Sequence, residues 1–181
     1  MQKLIILDRD GVINRDSDQY IKSPDEWVAI PGSLATIARL NRAGFLVAVA
    51  TNQSGIARGL FTLDTLTAIH HKMQQQLLAV DGHIDQLVFC PHHPDDNCNC
   101  RKPKPGLYQQ IAQHFAVDLS HVPVVGDSAR DLEAAQAVNA TPILVRTGKG
   151  LRTLAKEPDL AHKLCFDDLA QTVNYLLRSS T

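Results

Sequence analysis

The 181-residue chain has no excess of charge of either sign: 18 Lys and Arg against 19 Asp and Glu leave a formal net charge of -1. Without a global field or a run of basic residues, electrostatic capture of nucleic acid or of an acidic lipid surface is not expected. Aromatic residues are scarce at 5%, which speaks against the stacking platforms that hold nucleic-acid strands. Long apolar runs are missing too. Only Leu4 to Leu7 precede Asp8, far short of a secretory core, and no later run could span a bilayer. A cytoplasmic protein with neither a nucleic-acid nor a membrane partner is the expectation. Low-complexity tracts are absent, and 20% charged against 44% apolar content argues against disorder. Cysteine is sparse and unevenly placed: Cys90, Cys98 and Cys100 fall close together beside several His, with Cys165 apart. That clustering reads as metal ligation in a reducing compartment more readily than as a disulfide framework.

What the chain does have is alternation. Short apolar runs at 3–7, 45–50, 84–89, 122–125 and 142–145 read as buried strands. Between them lie helical spacings at 33–43, at 106–115, at 131–138, and from an N-cap at Thr62 to about Val80. A short edge strand at 164–166 and a closing helix over 167–177 complete the pattern. The rhythm predicts a three-layer α/β fold of Rossmann-like type: a parallel sheet, helices on both faces, and right-handed crossovers. No repeat or linker divides the chain, so residues 1–181 read as a single domain.

In such sheets ligands bind beyond the carboxyl ends of the strands, and four segments fall there. Asp8-Arg9-Asp10-Gly11 follows the first strand. Strand alternation points its two carboxylates the same way, and a hard cation such as Mg²⁺ would satisfy both; a solvated turn is the plainer alternative. Gly126-Asp127-Ser128 follows the fourth strand, where Asp127 could complete an oxygen shell or merely cap the next helix. Thr51-Asn52-Gln53-Ser54-Gly55 offers hydroxyls, amides and free N–H groups suited to phosphate oxygens. Arg101-Lys102-Pro103-Lys104-Pro105 holds basic side chains on an extended loop, Lys104 reading as plain surface charge. Upstream, Cys90-Pro91-His92 and Cys98-Asn99-Cys100 bracket a short turn, spacing that suits a tetrahedral zinc site of Cys90, His92, Cys98 and Cys100. A disulfide or unrelated thiols are the alternatives, His93 is the substitute ligand, and Cys165 reads as core.

In this order the four segments resemble the four signatures of haloacid-dehalogenase-superfamily phosphohydrolases, over Asp8 to Asp131. The resemblance implies an enzyme in which Asp8 is the nucleophile, forming an aspartyl-phosphate, and Asp10 the general acid and then base. It implies Mg²⁺ held by the Asp8 carboxylate, the Asp10 backbone carbonyl and Asp127, with Asp131 behind them. Thr51 and Lys102 would stabilise the transferring phosphoryl group. The structural Zn²⁺ loop resembles that of the small phosphatases that remove the 7-phosphate of D-glycero-D-manno-heptose 1,7-bisphosphate, in lipopolysaccharide-core synthesis; histidinol-phosphate phosphatases share it. That likeness implies Asp16, Tyr20, Thr51, Asn52, Gln53, Ser54, Arg101 and Lys102 around the substrate. No room remains between Thr51 and Lys102 for a large cap domain, and a monomer acting on a small sugar phosphate is expected. Arg58, Arg146 and Lys149 are candidates for a second phosphate, or ordinary surface charge. A binding module with vestigial carboxylates is the alternative from another class.

Overall fold

In the computed structural model, residues 3–178 are described. Six parallel strands form one sheet: β1 (Lys3–Leu7), β2 (Phe45–Asn52), β3 (Gln86–Cys90), β4 (Pro123–Gly126), β5 (Thr141–Val145) and β6 (Cys165–Phe166), in the order β3-β2-β1-β4-β5-β6. Helices α1 (Ser33–Arg42), α2 (Leu63–Leu78), α3 (Gly106–Phe115), α4 (Ala129–Gln136), α5 (Gly150–Lys156) and α6 (Leu169–Arg178) complete the fold. Side chains of β1 alternate between two cores. Ile5 and Leu7 join Ile37, Ile69, Met73 and Val173, which places α1, α2 and α6 on one face. Leu4 and Ile6 join Leu107, Ile111, Ala134 and Ala135, which places α3 and α4 on the other. Strands covered on both faces need no polar alternation, which is why they read as unbroken apolar runs. No described helix is long and apolar enough to cross a membrane.

Local signals explain most boundaries. Thr62 is the N-cap of α2, its hydroxyl accepting from the Thr65 backbone N–H at 3.1 Å. Asp131 and Ser128 make a reciprocal capping box that starts α4 two residues before the expected start. β3 begins later than its apolar run because Asp85 pairs with Val47 partly through its side chain, Oδ2 accepting from the Val47 N–H at 2.7 Å. The helix α5 was not expected. It is seven residues long, opens without a side-chain cap and buries only Gly150 and Thr153, so it carries no apolar stripe to read. Cys165, expected in the core, is half-buried on the edge strand, where it borders Leu132, Leu144 and Leu160.

The strand order reverses between β1 and β4, whose ends release Asp8 and Asp127 side by side. This is the crevice where open α/β sheets hold ligands. A strap from Asn14 to Pro31 crosses its mouth, tied down where Lys72 of α2 donates to the Pro24 and Trp27 carbonyls.

Candidate active site

A cavity of about 300 Å³ opens at this reversal. All eight residues expected around a substrate line it, from Asp16 and Tyr20 on the strap through Thr51 to Ser54 and on to Arg101 and Lys102. Asp8, Asp10, Asp127 and Asp131 line it too.

Lys102 is the hub. The residue is 1% exposed, and its ammonium has three N–H groups. Three acceptors stand around it: Asp8 Oδ1 at 3.0 Å, Asp131 Oδ1 at 2.6 Å and the Ala50 carbonyl at 2.8 Å. Burial alone would lower its pKa, but Asp131 and Asp8 outweigh it and hold Lys102 above the ordinary lysine value. Asn52 fixes the Lys102 backbone to the end of β2, its amide donating to the Lys102 carbonyl and accepting from its N–H, each at 3.1 Å.

Carboxylate oxygens of Asp8, Asp127 and Asp131 lie within 4.8 Å of one another. Burial and like charge push Asp8 up to about 7 and Asp127 up to about 8, while Lys102 keeps Asp131 below its usual range against the pull of burial. Three clustered acids beside one ammonium, which pairs with Asp8 and Asp131, leave negative charge to be balanced, and an all-oxygen donor set suits a hard divalent cation. Space at Asp127 is made by two left-handed glycines, Gly11 (φ +83) and Gly148 (φ +58); a Cβ on either would collide with its carboxylate. The backbone N–H of Lys149 donates to Asp127 Oδ2 at 2.7 Å.

Asp10 corrects an expectation. Its carboxylate does not converge with that of Asp8 on a shared cation. It is engaged by Arg9, whose Nε–H donates to Oδ1 at 3.2 Å and whose Nη2 donates to Oδ1 at 2.9 Å and Oδ2 at 3.0 Å. Asn14 donates to Oδ1 and Gln53 to Oδ2, both at 2.8 Å. Burial opposes charge on Asp10, yet these donors overcome it and hold its pKa below the usual carboxylate range. Only the Asp10 backbone carbonyl is left for the ligand role that the resemblance implied. Thr51 Oγ1 accepts from the same Gln53 amide at 2.8 Å.

Behind Arg101 lies the Cys and His cluster. Cys90, His92, Cys98 and Cys100 offer donor atoms within 4.8 Å of one another. Four of the six separations run from 3.2 Å (His92 Nδ1 to Cys100 Sγ) to 3.6 Å (Cys90 Sγ to Cys98 Sγ), near the edge of about 3.8 Å for a tetrahedron of 2.3 Å zinc–sulfur bonds. His93 stays outside, capping the short turn Pro94–Asp96 and facing Asp95. The cluster fits zinc, and Arg101 and Lys102 follow it directly in the chain.

Of the distal-phosphate candidates, Arg58 and Lys149 line the cavity, the latter paired with Asp16 at 2.7 Å. Arg146 lies elsewhere, paired with Asp167 on the surface. Arg130, which the spacing did not single out, also lines the cavity; it follows Asp127 by about one helical turn, the available clue.

The HAD-hydrolase-like family model matches residues 99–172. A relative from Pseudomonas aeruginosa, named D-glycero-beta-D-manno-heptose-1,7-bisphosphate 7-phosphatase, is 56% identical and covers 98% of this chain and 99% of its own. The chain belongs to this family of HAD-like hydrolases. A relative of the same name from Bordetella bronchiseptica is 54% identical, with 98% of this chain and 99% of its own covered. The solved D,D-heptose 1,7-bisphosphate phosphatase of that species, complexed with magnesium and phosphate, superposes with a TM-score of 0.94 at 54% identity, covering 98% of this chain and 99% of its own. The phosphatase of that name from Burkholderia thailandensis matches at a TM-score of 0.76 and 47% identity, covering 97% and 98%. The chain shares with these HAD-like phosphatases a Rossmann-like parallel sheet.

Proposed function

We propose that the chain is a magnesium-dependent phosphomonoesterase that removes the 7-phosphate of D-glycero-D-manno-heptose 1,7-bisphosphate through an aspartyl-phosphate. The observation that carries this reading is the meeting of Asp8, Asp127, Asp131 and Lys102 at the β1/β4 reversal. Similarity over nearly the whole chain to phosphatases of that name supports the substrate.

An oxygen of Asp8 attacks phosphorus in line; a bond from Asp8 to phosphorus forms as the ester bond to the leaving oxygen breaks. Asp10 gives its proton to that oxygen, then takes one from the water that attacks phosphorus and frees Asp8 and inorganic phosphate. Arg9, Asn14 and Gln53 favour the ionised form of Asp10, which is the base of the second step; the proton it takes there from the attacking water is the one it gives to the next leaving oxygen. Lys102 remains beside Asp8, offsetting charge on the transferring group. When bound by Asp8, Asp127 and the Asp10 carbonyl, Mg²⁺ supplies Lewis-acid charge that offsets repulsion between phosphate and carboxylates. Thr51 lines the cavity, and its hydroxyl, which accepts from Gln53, would donate to a phosphoryl oxygen. Arg58, Arg101 and Arg130 on the cavity wall suit the second phosphate. Zinc in the Cys90 cluster orders the loop that carries Arg101 and Lys102. The reading includes a single domain over the chain and a monomer working in the cytoplasm.

Heptose bisphosphate, fructose 1,6-bisphosphate and histidinol phosphate, compared by kcat/KM with magnesium present, test the substrate; a preference for histidinol phosphate would replace it. Asp8→Asn should abolish turnover in a folded protein, and activity within tenfold of wild type would refute the nucleophile. Absence of phosphate release from every sugar phosphate would restore the binding-module alternative.

A further inference from the structure

One buried polar group is left unused by this chemistry. His70 sits in the middle of α2, on the face that buries Leu66, Ile69, Met73 and Leu77, and is 9% exposed. A polar ring on an apolar stripe needs a partner. It has one 61 residues away: His70 Nε2 lies 3.1 Å from Arg9 Nη1. The Phe89 ring lies against the imidazole, tilted by 57° with centroids 6.2 Å apart. Arg9 is itself 0% exposed, with its Nε and Nη2 edge on Asp10 and its Nη1 turned to His70.

We propose that His70 is a positioning residue for phosphoryl transfer: by holding Arg9 from behind, it fixes the angle at which the Asp10 carboxylate meets the leaving oxygen. The inference rests on the acid role given to Asp10 above. Arg9 and Asp10 are neighbours in the chain, so a guanidinium bound only to that carboxylate could rock with it as a unit. Asn14 and Gln53 fix the two carboxylate oxygens from the strap and from the β2 loop. Among the described residues, His70 supplies the one anchor to the guanidinium that comes from a packed helix. Arginine has no acceptor, so the imidazole must accept here and Nε2 must be unprotonated. Burial first, and the Arg9 charge second, keep the ring neutral, while Asp10 pulls weakly the other way; the pKa falls to about 3. His70 therefore accepts from Arg9 throughout the neutral range.

A misdirected acid slows only reactions whose leaving group needs the proton. A sugar alkoxide needs it and a nitrophenolate does not. The step that reads this is the first phosphoryl transfer, reported by kcat/KM. His70→Leu, which fills the space without an acceptor, should lower kcat/KM for heptose bisphosphate or glycerol phosphate by about ten- to hundredfold, as small misplacements of reacting groups do. For p-nitrophenyl phosphate it should stay within about threefold. His70→Gln, with an amide oxygen near the place of Nε2, should restore the alkyl ester to within about threefold. His70→Asn, polar but too short to reach Arg9, should show the same split as Leu, and keeps the test open should Leu fail to fold. Equal slowing of both esters, no slowing of the alkyl ester, or a Gln variant as slow as Leu would overturn the role. A wild-type protein that hydrolyses neither ester would instead refute the proposed function, and this role with it.

Discussion

The ammonium of Lys102 offers a sharp test, because replacing it strands two acids at once. In Lys102→Met the side-chain volume is nearly kept, but Asp8 and Asp131 lose donors at 3.0 Å and 2.6 Å, and the Ala50 carbonyl loses one at 2.8 Å. Removing one partner of a buried ion pair costs about 3–5 kcal/mol, chiefly the penalty of the charge left behind. Asp131 is 1% exposed, so water cannot take over the lost bonds. Urea unfolding near pH 7.5, in magnesium-free buffer so that no cation replaces the missing charge, should show a loss in that range. The pH dependence has a definite sign. In the wild type Asp131 is held below its unfolded pKa, so its stabilisation is present at neutral pH and fades as pH falls through the folded value. In the variant burial raises the same carboxyl, so falling pH relieves it. The gap between the two proteins should therefore be widest near neutrality and close toward pH 4.5. Turnover should fall by at least about a hundredfold through loss of charge at the phosphoryl group. A gap under about 1 kcal/mol at pH 7.5, or one that ignores pH, would refute the claim that this lysine balances buried charge.

Three further outcomes are expected. His70 has a folded pKa of about 3 against about 6.5 when unfolded, so protons bind only the unfolded chain in that window; stability should fall with pH below about 6.5, by about 2 kcal/mol at pH 5. His70→Gln should lack this component in paired unfolding curves, the shifted carboxylates being common to both proteins; identical slopes would contradict it. Metal analysis of protein purified without chelator should find about one zinc per chain, and its removal should lower the thermal midpoint; less than about a tenth of an equivalent would count against the site. Gly148→Ala should lower kcat by at least about tenfold by displacing Asp127, beyond the roughly 1 kcal/mol of left-handed strain; Gly32→Ala, at φ +82 with nothing within 4 Å of its Cβ, should show the strain alone and normal turnover.

Much of this was legible in the chain because the signals are local. The strands are covered on both sides, so their hydrophobic runs are continuous, and Thr62 caps α2 where its hydroxyl predicts. The Cys90 to Cys100 spacing reads as a ligand set because its members lie within one loop. Asp8 and Asp127 are readable because strand ends place them. What stayed hidden depends on distance or on silence. The Arg9 to His70 contact spans 61 positions between a loop and a helix, and neither residue type announces the other. Arg9 also overturned the simplest account of its neighbours: two acids that look like co-ligands of a cation are separated because one already has a guanidinium. α5 was invisible since a seven-residue helix with two buried positions has no period to detect. Its surroundings nonetheless matter, for Lys149 and Arg152 hold the strap through Asp16 and Asp18.

The paired glycines around Asp127 carry a consequence for how such a pocket could change. The metal end of the cavity owes its room to two missing methyl groups on different loops, facing each other across one carboxylate. Neither loop can gain bulk without pushing that carboxylate out of place, so that end is closed to stepwise remodelling. New substrate preferences have to be written at the opposite end, on the strap and the arginine-bearing wall, where side chains meet solvent and single changes are free to accumulate.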